Sequence, residues 1–319
     1  MTRTALDLRH LPSPTEETWK YTNLPRAVPE GLGSALPEER MIHIPRGKVC
    51  AEPVEILWTG VENQHQQPVF KIILEAGAQV TVIERHEGQG AYWKNMVTEI
   101  RLGDGAVLNH VRLQADSLQA VHTNMSTVTL GRDSVYEGFS CNSGAKLSRH
   151  EISATLAGEN GRCTFAGVNL LRDVQHGDTT ITLAHTAPHG FSEQFYRTIL
   201  EGMARGVFQG KVHVHRSAQK TDAYQLSKAL LLSDGCEMDT KPELEIYADD
   251  VKCAHGATTG QMDETALFYL RSRGVPVPEA RRLLIRAFVD EAVDKIGDGF
   301  LRHTVHERVM QWLRNAHTP

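Results

Sequence analysis

No run of apolar residues in this 319-residue chain approaches the length that crosses a bilayer. The first ten residues, Met1-Thr-Arg-Thr-Ala-Leu-Asp-Leu-Arg-His10, lack the apolar core of a signal peptide. The expectation from both absences is a cytosolic protein with no membrane contact. Positive charge is not in excess: 34 Lys and Arg stand against 39 Asp and Glu, for a net charge of −5. That balance argues against a nucleic-acid binder, whose footprint is usually basic. Cysteine is sparse. Cys50, Cys141, Cys163, Cys236 and Cys253 are odd in number, widely spaced and free of any CxxC. This argues against a disulfide framework and against a complete all-thiolate metal site within the chain. Cys50, Cys141, Cys163 and Cys236 read as small buried hydrophobes. There is also no Walker A loop, no GxSxG, no HExxH and no GxGxxG before a helix, so the chain has no recognisable nucleotide site of its own.

What is present is short apolar alternation. Val69-Phe-Lys-Ile-Ile-Leu74, Gln79-Val-Thr-Val-Ile83, Val97-Thr-Glu-Ile-Arg-Leu102, Ala106-Val-Leu-Asn-His-Val111 and Ser126-Thr-Val-Thr-Leu130 read as strands, because period-2 patterning rich in β-branched residues fits a pleated backbone. Gly77, Gly105, Gly131 and Gly161 each close one such run and open the next, and by subtraction these positions lie 28, 26 and 30 residues apart. A loose beat of this length with strands alone predicts a β-helical solenoid, with a β-sandwich as the alternative. Almost no helical pattern interrupts residues 69–253, which argues against a doubly wound α/β fold. The length allows one elongated domain or two compact ones. The organisation read from the pattern is a Pro-rich, weakly structured or short helical lead-in over 1–40, a strand-rich core over 41–256 and a helical region over 257–319.

In that last region Asp263 is placed to cap a helix carrying Ala266, Leu267 and Leu270, and Gly274 with Pro276 stops it. The next helix carries Leu284, Phe288, Ala292 and Ile296 in one row, with Ile285, Val289 and Val293 beside it. This apolar face is wider than one neighbour requires. Either the helix is sandwiched in a three-helix cap or it offers Leu284, Ile285, Phe288 and Val289 to a partner. A third helix, from about Phe300, aligns Leu301, Val305, Val309 and Trp312.

One stretch could carry chemistry. Cys253-Ala-His255 ends a strand reading, and residues i and i+2 of a strand point to one side, so a thiol and an imidazole can meet at one point. Soft sulfur with imidazole suits zinc, copper, iron or an iron–sulfur cluster. The plain alternative is a strand end with Cys253 buried and His255 hydrogen-bonded. Two ligands also leave a tetrahedral site unfinished. His213-Val-His215 has the same spacing and reads as a solvated strand face. His303 and His306 lie on a polar helix face, His185 and His189 flank Pro188 in a loop, and Ser140-Cys-Asn-Ser143 reads as a turn. Asp249-Asp250 are strand neighbours that point apart and read as turn residues, not an acid–base pair.

Four longer segments go further: Arg205-Gly-Val-Phe208-Gln-Gly210-Lys211; Gln219-Lys-Thr-Asp-Ala223; Asp239-Thr-Lys-Pro-Glu-Leu-Glu-Ile-Tyr-Ala-Asp-Asp-Val-Lys-Cys253-Ala-His-Gly-Ala257; and Gly260-Gln-Met-Asp-Glu264 with Leu267-Phe-Tyr-Leu-Arg-Ser-Arg-Gly274. With Trp19-Lys-Tyr-Thr22 near the start, they resemble the SufD branch of the SufB/SufD family of the SUF iron–sulfur cluster assembly machinery. The resemblance is dense over roughly the last third of the chain and looser in the middle. It implies a right-handed parallel β-helix and a non-catalytic scaffold subunit. It also implies pairing with SufB, docking of the ATPase SufC on the C-terminal helices, and a transient cluster formed at the SufB–SufD interface. On this chain the matching cluster-site positions are Cys253 and His255, with the remaining ligands on SufB. Whether the isolated chain pairs with itself through a β-helix edge stays open. The region before the β-helix is shorter than in many SufD chains. Two other functions stand beside this one: a stand-alone β-helix enzyme acting on polysaccharide, for which no clustered carboxylates are legible, and an isolated metal-binding module using Cys253, His255 and perhaps His213 or His215.

Overall fold

The computed structural model describes residues 5–314. In chain order the strands are β1 (Ala35–Ile44), β2 (Val54–Gly60), β3 (His65–Leu74), β4 (Gln79–Gly88), β5 (Trp93–Leu102), β6 (Val107–Ala115), β7 (Val121–Leu130) and β8 (Val135–Asn142). They continue as β9 (Leu147–Leu156), β10 (Arg162–Leu171), β11 (His176–His185), β12 (Phe191–Leu200), β13 (Arg205–Val214), β14 (Asp222–Leu231), β15 (Glu237–Ile246) and β16 (Lys252–Gln261). A short helix α1 (Leu24–Ala27) precedes them, and α2 (Glu264–Ser272), α3 (Val277–Val293) and α4 (Gly299–Arg314) follow.

The odd-numbered strands stack in chain order into one eight-stranded sheet and the even-numbered strands into another. Every pairing is parallel, with each residue over its equivalent one coil earlier: His65 pairs with Trp93, Trp93 with Val121, Val121 with Leu147. This is a parallel β-solenoid of eight two-strand coils, and the sandwich alternative falls away, because no strand pairs with its sequence neighbour. The solenoid exceeds the 41–256 expected from pattern. It starts at Ala35 and runs through Gln261, since the glycines and threonines after Cys253 extend β16 instead of turning into a helix.

The alternation sorts side chains between the inside of the coils and two outer faces. Inside, Phe70, Ile72, Leu74, Val82, Leu108, Val128, Leu156, Phe165, Leu183 and Val212 form one dry column system. The middle coils also enclose charge. Glu84 accepts from His86 Nε2 at 2.8 Å and His110 Nε2 at 3.0 Å. Asp116 accepts from Lys94 Nζ at 2.8 Å, the Tyr92 hydroxyl at 2.6 Å and His122 Nδ1 at 2.7 Å. Burial pushes the Asp116 carboxyl up, but His122 and Lys94 outweigh it and hold it well below the carboxylate range. Pairing and hydrogen bonds are what make such buried charge tolerable.

The lead-in is ordered on the outer face of the odd sheet. Trp19, Leu24 and Ala27 pack on Trp93, Val121 and Leu147. The Arg149 guanidinium lies 4.1 Å from the Trp19 ring centroid, donates to the Thr18 carbonyl and pairs with Asp178, which also accepts from the Thr22 hydroxyl. Helices α3 and α4 lie on the outer face of the even sheet, where Ile285, Val289, Leu301, Val305 and Trp312 meet Ile83, Val111, Phe139, Val168 and Ile199. They therefore flank the solenoid and do not cap its end. Ser140, Cys141 and Asn142 belong to β8 instead of a turn. His185 closes β11 fully buried, bonded to the Ser192 hydroxyl at 2.8 Å, instead of lying in a loop.

Candidate site at the open end of the solenoid

β15 and β16 are the last strands of their sheets, each paired on one side only. β16 lies over β14 with Ala223 under Cys253 and Gln225 under His255. Ala223 and Gln225 face the interior, so the pleat turns Cys253 and His255 inward as well, at a level where no further coil covers them. Cys253 is half-buried and packs on the interior core, while His255 is exposed. The spacing argument thus holds: both side chains stand on one face, at the mouth of the solenoid. Burial, aided by the nearby Asp222 carboxylate, pushes the Cys253 thiol up. Ligation of a metal or cluster at this sulfur would therefore have to displace its proton.

The other sequence candidates stay apart from this mouth. Val212 and Val214 are buried, so His213 and His215 face outward, their rings stacked with centroids 4.5 Å apart and His213 beside Tyr247 and Glu245. His306 approaches Asp290 at 3.5 Å between α4 and α3. Asp249 and Asp250 sit in the bend between β15 and β16, where Asp250 pairs with Lys220. Among the described residues, no group of three or more His, Cys, Asp or Glu is placed to hold a metal ion. Cys141 and Cys163 are buried, Cys50 and Cys236 half-buried, and all five cysteines are free.

The helix face expected to meet a partner needs correction. Ile285 is 6% exposed and Val289 0%, both pressed onto the even sheet, so neither can touch a partner while α3 stays docked. Leu284 and Phe288 are half-buried and line a groove of about 320 Å³ with Lys228, Leu230, Thr258 and Met262. The exposed large apolar side chains of the helices include Phe268 (70%), Tyr269 (57%), Leu283 (43%) and Phe300 (56%). Phe268, Tyr269, Leu283 and Phe300 were missed as surface because a one-dimensional stripe does not say which side the sheet takes.

Residues 57–288 match the family model described as SUF system FeS cluster assembly, SufBD core domain. The chain belongs to the SufB/SufD family. An iron–sulfur cluster assembly SufBD family protein of Synechocystis is 37% identical over 82% of this chain and 61% of its own length. SufD of Escherichia coli is 34% identical over 89% of this chain and 72% of its own. The chloroplastic protein ABCI7 of Arabidopsis thaliana is 30% identical over 87% and 61%. The chain thus spans 61% of the length of the Synechocystis and Arabidopsis relatives. The SufBD match runs from within β2 through most of α3, so the mouth with Cys253 and His255 lies inside it. No helix of the described residues is long and apolar enough to cross a membrane.

Proposed function

We propose that this SufBD protein is a non-catalytic, cytosolic scaffold subunit that contributes one wall of an iron–sulfur cluster assembly site shared with a SufB-like partner. The observation that carries the reading is the inward pairing of Cys253 and His255 on a terminal strand with a free edge. Sulfur and imidazole suit iron–sulfur cargo, and two ligands from one chain leave room for ligands from another. A ten-residue edge strand with unpaired N–H and C=O groups is a liability in isolation and a ready template for a partner strand. Ile246 (40% exposed) and Tyr247 (60%) add apolar surface at the same end. ATP hydrolysis belongs to a SufC-like ATPase, for which the exposed Phe268, Tyr269, Leu283 and Phe300 supply the docking face.

The test is coexpression with SufB and SufC, followed by iron and sulfide analysis of complexes carrying wild type or His255→Ala. Lower iron and sulfide in an intact complex supports the shared site, and unchanged contents remove His255 from it. Stoichiometric metal on the isolated chain, lost in His255→Ala, would favour a self-contained metal module instead.

A further inference from the structure

Two buried amides lie directly behind His255. Gln194 is 0% and Gln225 3% exposed, and neither the Oε1 nor the Nε2 atom of either has a hydrogen-bond partner. They occupy one interior column, Phe165 under Gln194, Gln194 under Gln225 and Gln225 under His255. Across the interior, Gly210 leaves them their space: a Cβ there would come within 2.8 Å of Gln194 Oε1 and 3.0 Å of Gln225 Nε2. A buried amide left unpaired is destabilising, so two retained in one column call for partners. Phe165 closes the lower end with no polar group. Parallel strands stand about 4.8 Å apart, which lets stacked glutamines link amide to amide by side-chain rotation. The open end of the column offers one further polar group in line, the His255 imidazole, which has a donor and an acceptor nitrogen when neutral.

We propose that Gln225, backed by Gln194, is a positioning residue that hydrogen-bonds the His255 ring and selects the nitrogen presented at the mouth of the solenoid. Which nitrogen of a histidine faces a metal is set by the bond the other one makes. An otherwise exposed ring would thereby meet its cargo in one orientation. The proposal builds on the assignment of His255 above, but its decisive measurement does not depend on that assignment.

The measurement is the ¹⁵N chemical shifts of the His255 ring in the isolated full chain, assigned by their loss in His255→Ala. Recorded in alkaline buffer, wild type is expected to show one dominant tautomer, with the two ring nitrogens well separated in shift. Gln225→Met keeps the volume and removes the amide, and should bring the two shifts closer together. Gln194→Met, one layer deeper, should give a smaller change in the same direction and serves if Gln225→Met does not fold by circular dichroism. Shifts identical to wild type in the folded variants overturn the proposal. In complexes with SufB and SufC, Gln225→Met should lower iron content less than His255→Ala does. An unchanged content in His255→Ala would refute the cluster-site reading while the ring shifts still decide the role of Gln225.

Discussion

Removing the His255 imidazole should change what an assembled complex carries and cost the chain's own stability no more than about 1–3 kcal/mol, because an exposed side chain at an open end supports little packing and only its bond to the buried Gln225 amide is lost. Denaturant titration of the isolated chain checks the second half of that expectation. The Cys253 thiol should alkylate slowly at pH 7, faster as pH rises past the usual thiol range, because burial and Asp222 keep it protonated; site-resolved mass spectrometry with iodoacetamide reads this. Deeper inside, burial drives His185 and His122 down to about 4. An unfolded histidine binds its proton near 6.5, so between about 6.5 and 4 the unfolded chain takes up protons that the folded chain refuses. Stability is full above that window and falls as pH drops through it, by at most about 3 kcal/mol for each such histidine. The urea midpoint should decline from pH 7 to 4, and less steeply in His185→Gln.

At the scale of elements, α3 divides its two rows by neighbour. Ile285→Ala should cost about 2–4 kcal/mol by opening a cavity against the even sheet, whereas Leu283→Asp should barely move the denaturation midpoint and should weaken SufC binding. Unchanged SufC affinity in Leu283→Asp and Phe268→Asp together would discard the helical docking face. The turns that stack the coils are equally demanding. A Cβ on Gly158 would stand 2.0 Å from the Arg132 backbone nitrogen, one coil below, so Gly158→Ala should destabilise by at least about 1–3 kcal/mol. The alternating strands and turn glycines were legible because each is written within a few neighbouring residues. The buried ion network was not, because strand alternation can put Glu84, His86, His110, Arg112 and His122 on an inward face but does not say which charges from different coils become partners. Only stacking puts them inside together. The lead-in has the short helical character that the sequence offered as one alternative, but its anchoring was not legible, since Trp19 and Thr22 find Arg149 and Asp178 across more than a hundred residues.

For the molecule as a whole, both sheets end at β15 and β16 with free edges, and the Cys–His pair sits there, on the first half of β16, while the second half lines the groove against α3. Two separate faces suit two separate partners. Coexpression with SufB and SufC should yield a complex containing all three by size-exclusion chromatography, and its absence would sink the scaffold reading. The sequence by itself determined the strand-rich core, the three C-terminal helices and the shared face of Cys253 and His255, since period 2, period 3.6 and an i, i+2 spacing are local geometry, whereas the choice of solenoid over sandwich needed the strand pairing. Its motifs also carried the family resemblance. The tertiary structure decided which coil is last, that Gln225 lies behind His255, and which side of α3 the sheet covers. Those depend on parallel register between residues a full coil or more apart, which no local pattern encodes. The short Cys253-Ala-His255 segment therefore gains its meaning from position: the same three residues one coil earlier would be sealed inside.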